Sequence, residues 1–281
     1  MCLMLLIRFC RKEKKMKNDA KELVRTFVAD KLDDDITRLA SFELGALKNN
    51  KVYGCPGRNF DSDDTNLMRA IYCVAFSDTW KGLSMQSLEN GVYRGDTINS
   101  YSTLFSRPWD KPDKFIERWH PDKTFVEKRN AFNKTCYTVG NMMVLPDKRI
   151  DGWSINTHRG CHYEWHDYED RFLIQLHKVL TKQADMDLDL NDLVEANKEC
   201  FTPFYGESGW KSFVNGNLLD YYVDDNYQPI LTSKGFTYWQ SGYNNQEHFL
   251  AEANRYIDFA TAIIKDRAQR IIEILAQRIQ N

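Results

Sequence analysis

NQEHFLAEANRYIDFATAIIKDRAQRIIEILAQRIQ, residues 245–280, decides the fold class. The stretch holds neither glycine nor proline, and Phe249, Ala253, Tyr256, Ile257, Ala260, Ile263, Ile264, Ala268, Ile271, Ile272, Leu275 and Ile279 recur at three- and four-residue steps. That period predicts one long amphipathic helix. At about 1.5 Å per residue it would span roughly 54 Å, longer than a compact domain of this size needs. A homodimer seam along the C-terminal helix is therefore an expectation.

Working outward, Trp165–Lys182 returns to helical spacing through Phe172, Leu173, Leu176, Val179 and Leu180, and 188–200 predicts a further helix. YTVGNMMVLP, residues 137–146, has a different texture: a short β-prone run between Gly140 and Pro146, read as a strand. Upstream, 17–49 carries apolar residues at helical spacing. Asn90-Gly91 marks a turn, Asp96-Thr97 is read as the cap of a helix through Phe105, and Pro112 as the first turn of a helix holding Phe115, Ile116 and Trp119. The expected fold is α+β, predominantly α-helical, with a small β element around 137–156 and a long C-terminal helix. Residues 1–15 place an apolar run before Arg8, Arg11, Lys12, Lys14 and Lys15. A secretory signal has the opposite order, and the run is too short to span a bilayer. We read 1–15 as an upstream or disordered arm and 16–281 as a single α-rich domain.

The composition, 42% hydrophobic, 13% aromatic and net charge −2, is that of a globular chain. It excludes collagen-like, disordered and channel classes and gives no global basic field for nucleic acid. Residues 107–160 nevertheless hold eleven Lys and Arg against seven Asp and Glu, a local surplus suited to a phosphate-facing surface. Seven cysteines lie scattered without a CxxC pair; reduced thiols in a cytoplasm are the simplest account. No Walker A, dinucleotide-binding or Gly-x-Ser-x-Gly motif is present, which disfavours nucleotide motors, nicotinamide enzymes and α/β-hydrolases.

Five of the six histidines lie between 120 and 177. His158, His162 and His166 have i, i+4, i+8 spacing, which on a continuous helix aligns three imidazoles as metal ligands. Gly160 within that spacing leaves a loop of hydrogen-bonded histidines as the alternative. The acidic run from Asp185 through Asn191 is not a calcium loop, since its sixth and twelfth positions are Leu190 and Ala196; it reads as a linker strand or the first turn of the next helix.

DTINSY at 96–101 and VGNMMVLP at 139–146 resemble phrases of an uncharacterised bacterial family, over about 55–180. No activity comes with that family. More distantly, the order His120-Pro121, Val139-Gly140-Asn141-Met142, Asn156 and Ile263-Ile264-Lys265-Asp266-Arg267 is similar to the HNH-type C-terminal domain of GmrSD-like modification-dependent restriction endonucleases. The resemblance places an HNH-like segment at about 117–180. It implies a metal-dependent phosphodiesterase or nuclease acting in phage defence, with His120 as general base, Asn141 bridging the frame, and Asn156 or His158 on a divalent metal (Mg, Mn or Zn). The sequence departs from that pattern: His-x-x-Pro is compressed to His120-Pro121, and Trp119 stands where a metal-binding residue is expected. Either the site is rebuilt from His158, His162, Asp167 and Asp170 (with His166), or the site is degenerate. Two further readings stay open. One is a non-enzymatic binding or oligomerisation module. The other is an enzyme on a small nucleotide, with Arg94, Asp96, Asn99, Arg159 and Asp167 around a polar pocket. The expected partner is nucleic acid, with no membrane involved.

Overall fold

In a computed structural model, the structure describes residues 20–29, 66–99, 122–136, 138–162, 169–232 and 246–280. A helical stretch over 20–29 is followed by α1 (Asn66–Ala75), α2 (Met85–Glu89), β1 (Tyr93–Thr97), α3 (Lys123–Cys136), a 3-10 turn (Val139–Asn141), β2 (Met142–Pro146), α4 (Ile155–Cys161), α5 (Glu169–Leu180), α6 (Leu188–Ala196), α7 (Lys198–Phe201), α8 (Gly206–Gly216) and α9 (Gln246–Gln280). The fold is α+β and mainly helical, as the sequence pattern requires.

The long α9 is the spine. Its stripe from Ala253 to Leu275 is buried, and it packs on α1, α3 and the 3-10 turn ahead of β2. The apolar stripe is thus covered within the chain. α1 closes over α9 because Leu67, Met68, Ile71, Tyr72, Val74 and Ala75 share its inner face. Gly140 lets the 3-10 turn approach α9 closely: a Cβ there would stand 1.9 Å from the Ile264 carbonyl oxygen and 2.8 Å from the Ala268 Cβ.

Across this contact, Arg267 leaves α9 fully buried. Its Nη1 donates to the carbonyls of Gly140 (2.8 Å) and Met142 (2.7 Å), while Nε and Nη2 donate to that of Asn217 (3.2 and 3.1 Å). The cation also lies over the Phe76 ring at 5.7 Å. Burial pulls its pKa down to about 10. Asn217, the C-cap of α8, accepts from the Trp80 indole through Oδ1 at 2.9 Å. Trp80 in turn meets Tyr93, Phe201, Phe204 and Phe213 edge-on. Phe201, Phe204, Trp210 and Phe213 therefore belong to the core.

β1 and β2 form a two-stranded antiparallel sheet running from Tyr93↔Pro146 to Thr97↔Met142. All five β2 residues are buried, as its apolar run predicts. β1 is a correction to the sequence reading: Asp96 and Thr97 end a strand and do not cap a helix. YRGDT is a weak strand former because Gly95 and Asp96 are disfavoured in strands; it becomes a strand because β2 offers an edge and Tyr93 packs on Trp80. The helices expected through Phe105 and around Phe115–Trp119, and most of 17–49, lie outside the described residues.

Gly140→Ala, which drives a methyl into the α9 backbone, is expected to destabilise by about 3 kcal/mol or more. Gly82→Ala, with nothing within 4 Å but φ +81, should cost only about 1 kcal/mol. Urea unfolding of the two variants reads the contrast.

Candidate functional site

Three polar clusters sit between the sheet and the helices. The first joins Asn99 and Asn141. Asn141 Oδ1 accepts from the Asn99 backbone N–H (2.9 Å) and from Asn99 Nδ2 (3.3 Å), and Asn141 Nδ2 donates to the carbonyls of Asn99 and Cys136, both at 2.8 Å. Asn99 Oδ1 accepts from the hydroxyls of Tyr222 and Tyr256 at 3.2 and 3.3 Å. Burial, with Glu169 nearby, raises the Tyr222 pKa, so its phenol stays a donor. Asn141 is fully buried and both ends of its carboxamide are engaged within the chain. It ties the end of α3 to the residues after β1.

The second cluster centres on Arg159 of α4, fully buried like Glu169. Nη1 donates to Glu169 Oε2 at 2.8 Å and to the Ile98 carbonyl at 3.4 Å; Nη2 donates to the Thr97 carbonyl at 2.6 Å and pairs with Asp96 Oδ2 at 2.9 Å. Asp96 and Arg159, expected around a nucleotide pocket, are thus brought together as an ion pair. Asn99 belongs to the neighbouring cluster, and Arg94 projects from the exposed side of β1.

The third cluster is the candidate metal centre. Ser154 caps α4, accepting from the Thr157 N–H, and the helix runs through Gly160 to Cys161, with His162 as its C-cap. His158 and His162 therefore share one face, rings 5.2 Å apart. Both point at Asp187: His158 Nε2 lies 3.3 Å from Oδ1 and His162 Nε2 lies 3.4 Å from Oδ2. The three ligating atoms fall within 4.8 Å of one another. Asp187 is the N-cap of α6, its Oδ1 accepting from the Leu190 N–H at 2.7 Å. The side chains are 11, 10 and 20% exposed for His158, His162 and Asp187, shielded but reachable.

His120, His166 and Asp167 lie outside the described residues. Asn156 sits on α4 two residues before His158, hence about 200° round the helix from it. Its carboxamide is shielded from solvent and has no hydrogen-bond partner among the described residues. Asp170 accepts from Thr232 Oγ1 at 3.1 Å. Asp187 was not legible as a ligand: an Asp ahead of Leu188 and Leu190 announces a helix start, and nothing local says that this start faces α4. No described helix is long and apolar enough to cross a membrane.

A family model described as a family of unknown function (DUF6994) matches residues 93–271, a span that includes all three clusters. No curated protein and no solved structure matches the chain.

Asn141→Ala leaves the Asn99 N–H and the Cys136 and Asn99 carbonyls without their partner. A loss of about 2–4 kcal/mol is expected, seen in urea unfolding.

Proposed function

The chain belongs to the family of unknown function DUF6994, and we propose that it is a divalent-metal-dependent phosphodiesterase of the nuclease kind, with His158, His162 and Asp187 as the metal ligands. The observation that carries this reading is the convergence of two imidazoles on one carboxylate, from an i, i+4 pair on α4 and the N-cap of α6. A metal held there would polarise a phosphoryl oxygen and lower the pKa of a bound water, the two things phosphodiester hydrolysis asks of it. The order of elements shared with HNH-type restriction endonucleases supports nucleic acid as the substrate and phage defence as the setting, and His120 as the base that activates water. The seven scattered cysteines without a CxxC pair favour a cytoplasmic protein.

A second reading has its own observation. Asn99, Asn141, Asp96 and Arg159 bond within the chain, which favours a frame kept for binding nucleic acid, with its chemistry lost. It also weakens the small-nucleotide pocket, because Arg159 is fully buried.

Cleavage of single-stranded and duplex DNA, RNA and a simple phosphodiester, measured with Mg, Mn or Zn supplied, separates the two. The enzymatic reading expects metal-dependent cleavage that falls by about 100-fold or more in His162→Ala and is abolished in His120→Ala. Binding of nucleic acid without cleavage under any metal supports the frame reading and ends the enzymatic one.

A further inference from the structure

The ligand set also speaks to which metal it takes. We infer that the His158–His162–Asp187 centre is a zinc-class transition-metal site that clamps the C-terminal end of α4 to the N-terminal end of α6. This rests on the ligand assignment above but not on catalysis.

The donor chemistry is the first ground. Two of the three donors are imidazole nitrogens. Magnesium and calcium are hard ions that take oxygen ligands, whereas imidazole suits zinc, cobalt, nickel and copper. Among the described residues the cluster has one carboxylate and no thiolate.

The spacing is the second ground. One donor atom from each of the three residues lies within 4.8 Å of the others, so a modest side-chain adjustment brings all three to the bond lengths of about 2.0–2.2 Å that one zinc ion takes. Among the described residues the cluster supplies three donors, one short of a tetrahedral set.

Preorganisation is the third ground. The Leu190 N–H fixes one carboxylate oxygen of Asp187 at 2.7 Å, which sets the rotamer and aims the other oxygen at His162. Arg159, next in sequence to His158, is locked to Glu169 and to the Thr97 and Ile98 carbonyls. That fixes the rotation of α4, so that both imidazoles face Asp187 at the start of α6. An ion entering there replaces two weak imidazole–carboxylate contacts with three coordinate bonds spanning two helices.

The test uses the full chain, stripped of metal with a chelator and titrated with zinc, cobalt and magnesium. One equivalent of zinc is expected to bind and raise the Tm. Cobalt should give the intense visible absorption of a four-coordinate ion, and millimolar magnesium should displace neither. His162→Ala should weaken zinc binding at least 100-fold. Asp187→Asn keeps a good helix cap and so guards against simple unfolding; it should leave the metal-free Tm close to wild type while removing most of the zinc-induced rise. Zinc that binds equally well to both variants, cobalt with a weak six-coordinate spectrum, or displacement by magnesium overturns the inference. Stoichiometric zinc without cleavage of any phosphodiester ends the enzymatic reading alone and leaves this one standing; cleavage driven by magnesium with no zinc bound does the reverse.

Discussion

A buried guanidinium holds three separate pieces of backbone together. Arg267 is fully buried and donates to the carbonyls of Gly140, Met142 and Asn217. Enclosing a charge is costly, and carbonyl dipoles offset that cost only when they are correctly placed. Its pKa, brought down to about 10 by burial, still leaves it charged at neutral pH. The consequence is geometric. The spine α9, the turn into β2 and the C-cap of α8 have one mutual arrangement that satisfies the guanidinium, and Gly140 is what allows the required approach.

The candidate metal centre follows from that arrangement through a chain of contacts. Arg267 fixes the start of β2, β2 sets the register of β1 from Tyr93 to Thr97, and the carbonyls of Thr97, which ends that strand, and of Ile98, which follows it, receive Arg159 from α4. Arg159 sets the rotation of α4, and the histidines on either side of it in sequence then face Asp187 on α6. The buried Asn99–Asn141 pair stiffens the same corner from behind. Residues far from the centre therefore act on it through position, and Asn141 and Arg159, which sequence reasoning set among the site residues, bond within this framework.

How much of this was legible is clear residue by residue. The helix of 245–280 was readable because its period survives over ten turns without a breaker, and β2 because MMVLP is apolar on both faces. The β1 strand was not, since Tyr93 is the one large apolar residue of Tyr-Arg-Gly-Asp-Thr and Gly95 and Asp96 are poor strand formers, so that pairing with β2 decides it. In the site, the i, i+4 spacing of His158 and His162 gave the pair, and α4 runs through Gly160 because helix packing overrides the modest penalty of one glycine. Asp187 was hidden because its role depends on where α6 begins relative to α4, a long-range fact with no local signature. Arg159 reads in sequence as a ligand for phosphate; only burial and the Glu169 partner reveal it as a strut.

The most direct test of the account is crystallographic: full-length protein soaked in zinc, with anomalous difference maps collected on both sides of the zinc edge. The account predicts a single strong peak about 2.0–2.2 Å from His158 Nε2, His162 Nε2 and an Asp187 carboxylate oxygen, with Arg159 and Arg267 in the same contacts as without metal. A peak at other residues, or density showing Asp187 paired with the two histidines and no anomalous signal between them, would contradict it.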